Sequence, residues 1–228
     1  MKPLHHIIIL LFFTACSTTV FSQEKELVKK RRVFFEPQIG FSHLLKNSID
    51  TELNNAFNFG LRFRFESASE KFSWAPTFNF RQFKHKEDYS DSNAYLLTLL
   101  KTGVQGSFAI FESENKKVRM YNFCELNYTW SSYDYRYEDN SFRPDDVPNT
   151  DLFEIMSGKG PGLMLGYRLQ LQYFFIEMGY DIFGANHVLS DEARDVLDSG
   201  GTAYDNEIEQ GINSFNFHIG ASIPLRFN

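Results

Sequence analysis

From Val33 onward the chain alternates large apolar residues with small, polar or charged ones. A period of two over many residues is the mark of strands whose two faces meet different surroundings. Val33, Phe35, Pro37, Ile39 and Phe41 share one face of a first strand, opposed by Phe34, Glu36, Gln38, Gly40 and Ser42. The second is cleaner: Phe57, Phe59, Leu61, Phe63 and Phe65 alternate with Asn58, Gly60, Arg62, Arg64 and Glu66. Similar runs are predicted from Phe72 to Arg81, Tyr95 to Phe111, Val118 to Tyr133, Leu163 to Gln170, Phe174 to Ile182 and Phe215 to Phe227. In the fifth the parity is ambiguous, because Asn122 falls on the apolar side and Phe123 on the polar one.

Eight strands leave connections near 44–56, 67–71, 84–94, 112–117, 134–160, 171–173 and 184–212, alternately long and short. That order is expected of an all-β fold, an eight-stranded antiparallel up-and-down transmembrane β-barrel with short periplasmic turns and long extracellular loops. Closure follows from lipid physics, since an open sheet edge would leave backbone groups unpaired in hydrocarbon. The Phe-rich faces are expected to meet lipid, and the faces with Gly, Ser, Asn and charges to turn inward. A soluble, lipocalin-like barrel reverses that assignment. Trp74, Tyr95, Tyr128 and Trp130 lie toward strand ends, where amphipathic rings suit a headgroup region. Pro37 and Pro76 each remove a ladder donor and predict bulges or frayed positions.

The first residues read as an export signal, with Lys2, the apolar run Ile7 to Phe13 and a cleavage point after Ser22. The expected organisation is a signal peptide over 1–22, a short periplasmic segment over 23–32 and a barrel over 33–228. A second reading attaches lipid at Cys16 of Phe13-Thr14-Ala15-Cys16. Export changes the meaning of the two cysteines: cleavage leaves Cys124 as the one thiol, with no internal disulfide. No run of 18 apolar residues occurs in the mature chain, which argues against a helical membrane protein. The net charge of −6 excludes a nucleic-acid footprint. The 25 Phe and 11 Tyr fit strands with much apolar surface to place.

With the Phe faces outward, charge is forced inside. Glu36, Arg62, Arg64, Arg81, Glu125, Arg168, Glu177, Asp181 and His218 are the candidate interior polar network, with Glu66, Lys101 and Arg226 on the same faces or at the rims. Buried charges persist when paired and hydrogen-bonded. Arg168 and Glu177 flank the tight turn near 171–173 and are candidate neighbours. His218 with Glu177 or Asp181 and a hydroxyl of Ser214 or Ser222 is the one constellation with catalytic potential, as a lipid-modifying enzyme. No cofactor or metal motif is found. Residues 134–159 carry seven acidic and three basic residues, and 184–211 seven and one. Such loops suit contact with lipopolysaccharide through divalent cations, although Asp134, Glu138, Asp139, Asp145 and Asp146 lack the pattern of a dedicated calcium loop. Each loop has a helix signal: Asp151 with Glu154 and a stop at Gly158 in one, Ser190 as a cap before Gly200 in the other.

The signal ending Val20-Phe21-Ser22-Gln23, the strand Phe57 to Phe65 and the closing strand Phe215 to Phe227 together resemble the outer-membrane β-barrel domain family of Bacteroidota. That family includes small OmpA/OmpX-like and PorT-like barrels. The resemblance implies a monomeric barrel in the outer membrane with a structural, adhesion or envelope-interaction role. One branch implies the alternative of an accessory part in protein secretion, with envelope or secretion proteins as partners. Phe227 is penultimate, a departure from the terminal aromatic that barrel assembly reads.

Overall fold

The computed structural model describes residues 32–46, 53–85, 93–137, 152–200 and 207–225. The strands are β1 (Arg32–Lys46), β2 (Leu53–Glu66), β3 (Phe72–His85), β4 (Asn93–Glu112), β5 (Val118–Tyr137), β6 (Leu152–Leu171), β7 (Phe174–Leu189), β8 (Glu207–Ala221) and β9 (Ile223–Leu225). One helix, α1 (Asp191–Ser199), lies between β7 and β8. All pairings are antiparallel and sequential from β1 to β8, and β1 pairs with β8 and β9 along its other edge. Each of β1 to β8 therefore has two neighbours.

Exposure settles which face is which. Phe57 is 56% exposed and Phe41 64%, whereas Glu36 is 0% and Arg62 1%. The bulky apolar faces point outward and the polar faces inward, the reverse of a soluble sandwich or a lipocalin. On every strand the outward apolar run has a similar extent. It covers Val33 to Phe41, Phe57 to Phe65, Phe72 to Phe80 and Phe174 to Ile182, nine residues each by their numbers. It covers Leu100 to Ile110, Met120 to Trp130, Pro161 to Leu171 and Phe215 to Leu225, eleven residues each. Side by side such runs make a belt about 30–36 Å long along the strands, at roughly 3.3 Å per residue.

Past the belt, away from the short turns, the pattern inverts. The next outward residues are His43, Asn55, Gln82, Thr98, Ser132, Lys159, Gly184 and Asn213. Inward positions there become apolar: Leu53, Ala56, Phe83, Leu97, Leu99, Tyr133, Met156, Phe183, Ala185, Leu189 and Ile212 form one buried cluster. Helix α1 adds Ala193 to it and packs Leu197 against it. Ser190 starts α1 by accepting a hydrogen bond from the Ala193 N–H at 3.0 Å, and Gly200 ends it. Its hydroxyl also donates to the Glu154 carbonyl at 2.6 Å, tying α1 to β6.

Several expectations need correction. The strands run further than the alternation suggested, so the connections shrink to 47–52, 86–92, 138–151 and 190–206 at one end and to 67–71, 113–117 and 172–173 at the other. The first two long connections are thus six and seven residues against five in the first two turns, and the contrast of ends rests on the last two. The expected helix between Asp151 and Gly158 is instead the start of β6 over 152–171; Asp151 lies outside the described residues. Capping chemistry lost there to cross-strand pairing, for Glu154 is opposite Asp134 and Gly158 opposite Ser131. Tyr95 is not a belt residue; it shares the face of Leu97 and stacks on Tyr133 at 5.7 Å. The parity of β5 resolves with Tyr121 and Phe123 inward and Asn122 outward.

Prolines explain the ninth strand. The β1 ladder to the closing strand stops at Gln38↔Gly220 and resumes at Phe35↔Ile223, so Pro37 sits in the gap and β8 ends before Ser222. Pro76 sits in the matching gap between Arg62↔Thr77 and Phe65↔Trp74. Pro161 sits in another, between Lys159↔Asn186 and Gly162↔Phe183. Each lacks the N–H that its missing rung would use. No register shift is needed.

Inward aromatics are seated by glycine. A Cβ on Gly166 would lie 2.1 Å from the Met178 carbonyl oxygen and 2.5 Å from the Phe123 ring. The ring of Phe175 fills the space beside Gly220 in the same way. Gly166→Ala is therefore expected to destabilise the fold by about 1–3 kcal/mol in urea unfolding, the usual cost of overpacking. Outward Gly106 has nothing nearer than 4.0 Å to an added Cβ, and Gly106→Ala should stay within about 0.5 kcal/mol of the parent.

Candidate functional site

The inward faces of β1, β2, β6 and β7 bring together the first polar cluster. Glu36 is its hub. Its carboxylate accepts from Arg62 Nε at 2.6 Å, Arg64 Nε at 2.8 Å, Arg168 Nη1 at 2.8 Å and Nη2 at 2.7 Å, and the Ser222 hydroxyl at 2.6 Å. Three guanidinium groups on one carboxylate need further acceptors. Arg62 donates onward to Glu177 and to Gln105, both at 2.7 Å. Arg64 donates to Glu66 at 3.1 Å, and Arg168 to Gln170. The guanidinium carbons of Arg62 and Arg168 lie 4.6 and 4.1 Å from the centre of the Phe175 ring.

A second cluster lies toward the apolar plug. Asp181 on β7 accepts from Arg81 Nη1 at 2.6 Å and from Lys101 Nζ at 3.3 Å, and Lys101 also pairs with Glu125 at 2.8 Å. A small gap lies where this cluster meets the plug, lined by Arg81, Lys101, Asp181 and Ser214 on one side and Leu99, Phe183 and Ile212 on the other.

At the short-turn end, Arg119 gathers carboxylates. It donates to Glu66 at 2.9 Å and Glu70 at 2.5 Å, and pairs with Glu112 at 2.8 Å. Glu70 also holds Lys116 at 3.3 Å and Arg32 at 3.5 Å. Burial pushes the Glu70 carboxyl up, but the hydrogen bonds from Lys116 and Arg119 and the charges of Arg32 and Arg119 outweigh it, holding it below the ordinary range.

The buried charges of these three clusters balance among the described residues. Arg62, Arg64, Arg81, Lys101, Arg119 and Arg168 face Glu36, Glu66, Glu70, Glu125, Glu177 and Asp181, six against six. That equality matters, because an excess charge here would have no solvent to screen it.

All nine residues of the expected interior network are buried, but their partners differ from the sequence-level pairing. Arg168 and Glu177 are opposite in register, yet Arg168 turns to Glu36 and Glu177 to Arg62. His218 is fully buried with neither ring nitrogen hydrogen-bonded, its Nδ1 4.0 Å from Glu177. Neither candidate hydroxyl bonds it. Ser222 is held by Glu36 and Arg168, and Ser214 by Arg81 and Asn216. Arg226 lies outside the described residues, as do Glu138, Asp139, Asp145 and Asp146.

Sequence reasoning missed four features. Gln105 and Gln170 sat on the correct faces and were not recognised as network members. Arg119 was hidden by the ambiguous parity of β5, and Glu70 by its place in a turn. Ser131 and His187 share a hydrogen bond of 2.6 Å and are both buried; no strand spacing relates them, because β6 lies between. Among the described residues no group of three His, Cys, Asp or Glu side chains is placed to hold a metal ion.

No family model matches the chain, and no curated protein matches it. Solved structures do. Ail, the attachment invasion locus protein of Yersinia pestis, crystallised with the heparin analogue sucrose octasulfate, is 12% identical with a TM-score of 0.46, covering 85% of this chain and 99% of Ail. Neisserial surface protein A is 11% identical at 0.46, covering 83% and 97%. The outer membrane protein OprG of Pseudomonas aeruginosa is 13% identical at 0.44, covering 85% and 97%.

Removing the hub leaves three buried cations without their shared acceptor. Glu36→Ala is expected to cost about 3–5 kcal/mol in urea unfolding. The Glu70 contribution has a pH signature. Its folded pKa is depressed, so its ion pairs add stability above the unfolded value, about pH 4.3, and lose it as pH falls through the folded one. Glu70→Gln should be less stable than the parent at neutral pH, and the two unfolding midpoints should converge as the medium is acidified below about pH 4.

Proposed function

We propose that this chain is an outer-membrane β-barrel with a structural, adhesive or envelope-interaction role carried by its long-connection end. One observation carries the reading: an exposed apolar belt of nine to eleven residues per strand surrounds buried clusters of paired charge. Water would penalise that arrangement on both sides, and a bilayer rewards it on the outside. A transmembrane strand needs about 9–11 residues, which the belt supplies on every strand.

In this reading the barrel is closed by the β1–β8 pairing, works as a monomer, and reaches the outer membrane through a leader ending at Ser22. The resemblance to the Bacteroidota barrel family belongs to the same reading. The polar network below and the apolar plug above seal the lumen, so neither a wide pore nor a catalytic centre is part of the function. His218 is a space-filling interior residue. The exposed acids of the long-connection end, Glu154, Asp191, Glu192, Asp195 and Asp198, meet lipopolysaccharide or a partner surface, with divalent cations as bridges.

Expression with the leader in a diderm bacterium tests this. The chain should fractionate with outer membranes and migrate differently on detergent gels with and without heating. Recovery in the soluble periplasm, with no such shift, would overturn the reading. Leu61 lies at the middle of the β2 belt, so Leu61→Arg should weaken folding into lipid by about 2–4 kcal/mol. A variant folding equally well in vesicles would place that face elsewhere than lipid.

A further inference from the structure

The two margins of the belt differ in charge, and the difference is tied to strand position. On β1 and β3 a cation stands one residue before the first belt residue, Arg32 before Val33 and Lys71 before Phe72, and on β5 Lys117 precedes Val118, the outward residue next below Met120. Lys116 joins them in the same turn as Lys117. All four are exposed, with the side chains of Arg32 and Lys116 at 59% and 52%. The carboxylates of this end are largely engaged. Glu66, Glu70 and Glu112 converge on Arg119, and Glu114 is the remaining exposed acid. At the opposite margin Lys159 is the one lysine among the first outward residues beyond the belt, and past that ring stand exposed Lys84, Glu154, Asp191 and Glu192.

The turns that carry these cations are built to hold them at one height. In 67–71 and 113–117 the hydrogen-bond pattern repeats: Ser67 N–H to Phe72 carbonyl at 2.8 Å and Ser113 N–H to Val118 carbonyl at 2.9 Å. Glu70 and Lys116 occupy the matching left-handed position in each, at φ 60° and 56°. Backbone bonds join the turns laterally, from Ala109 N–H to the Lys71 carbonyl at 2.7 Å and from Gln172 N–H to the Lys117 carbonyl at 2.8 Å. Glu70 fixes Arg32 and Lys116 from the protein side, leaving their outer faces to solvent.

We infer that Arg32, Lys71, Lys116 and Lys117 form a rim that docks the phosphate groups of anionic phospholipids in the leaflet at the turn end. This rests on the lipid-spanning reading of the belt. A cation directly beneath an apolar band lies where headgroup phosphates begin, and its attraction to an anionic surface falls off within a Debye length. Among the described residues the opposite margin has no such ring of cations directly beside the belt, so the rim also fixes which way round the barrel sits.

The two tryptophans separate the ends. Trp74 is the second outward residue from the 67–71 turn and Trp130 the last belt residue of β5 at the far margin. The full mature chain is folded into phosphatidylcholine vesicles containing an equal small fraction of either phosphatidylglycerol or phosphatidylcholine brominated on its acyl chains. In Trp130→Phe, leaving Trp74, brominated phosphatidylglycerol should quench fluorescence more than brominated phosphatidylcholine, reflecting roughly two- to five-fold enrichment beside the rim. The preference should fade in high salt and in the Arg32→Gln/Lys71→Gln/Lys117→Gln variant, whose folding is checked by the gel shift. In Trp74→Phe, leaving Trp130, the two lipids should quench alike. Equal quenching of Trp74, or a preference confined to Trp130, overturns the rim. Failure of both brominated lipids to quench either tryptophan overturns the lipid-spanning reading itself.

Discussion

A charge taken out of water must find a counter-charge, and the interior of this molecule is arranged around that requirement. Glu36 gathers three guanidinium groups, and the arginines pass the constraint to Glu66, Glu177, Gln105 and Gln170. The contacts join strands far apart in sequence: Glu36 and Arg168 are on β1 and β6, and Arg62 and Glu177 on β2 and β7. They therefore act as struts across the ring, fixing strands that the backbone ladder alone connects only to their neighbours. Such pairs add little net energy over apolar filling, yet losing one partner is costly. Their contribution is to make one arrangement of the strands strongly preferred.

The struts free the outside. Because the polar faces satisfy one another inward, the outward faces can be largely apolar, Asn122 being an exception, without a partner inside the protein. Beyond the belt the arrangement reverses: apolar residues gather inward under α1, and the outward positions become polar. The same strands thus carry two opposite patterns of inward and outward faces. The change falls within a single inward face, between Arg81 and Phe83 on β3, Lys101 and Leu99 on β4, and Asp181 and Phe183 on β7. These pairs, two residues apart, mark the boundary more sharply than any change of strand direction.

Sites that look like defects have positions that make them harmless. Pro37, Pro76 and Pro161 each face a gap in one ladder and keep full pairing on the other side. The gap at Pro37 also leaves Ser222 outside the ladder, where its hydroxyl donates to Glu36. Gly166 and Gly220 sit beside the rings of Phe123 and Phe175, so aromatic volume enters the interior where a neighbouring strand gives up its side chain.

Strand number up to the closing break, strand order and the inward placement of Glu36, Arg62, Arg64, Arg81, Glu125, Arg168, Glu177, Asp181 and His218 were legible in the sequence. A period of two assigns faces from local information alone, and the run of Phe on one face says which side avoids water. Partner choice was not legible. Arg168 passes over its register neighbour Glu177 for Glu36, since long side chains in a narrow interior reach several strands, and the lowest-energy pairing depends on all of them together. The apolar plug was hidden too: Phe83, Leu97 and Phe183 continue faces that began polar, and only their convergence under α1 turns separate apolar residues into a core. Local periodicity fixed the faces of each strand; the shared interior decided what those faces touch, because contact across a ring is a property of the assembled chain.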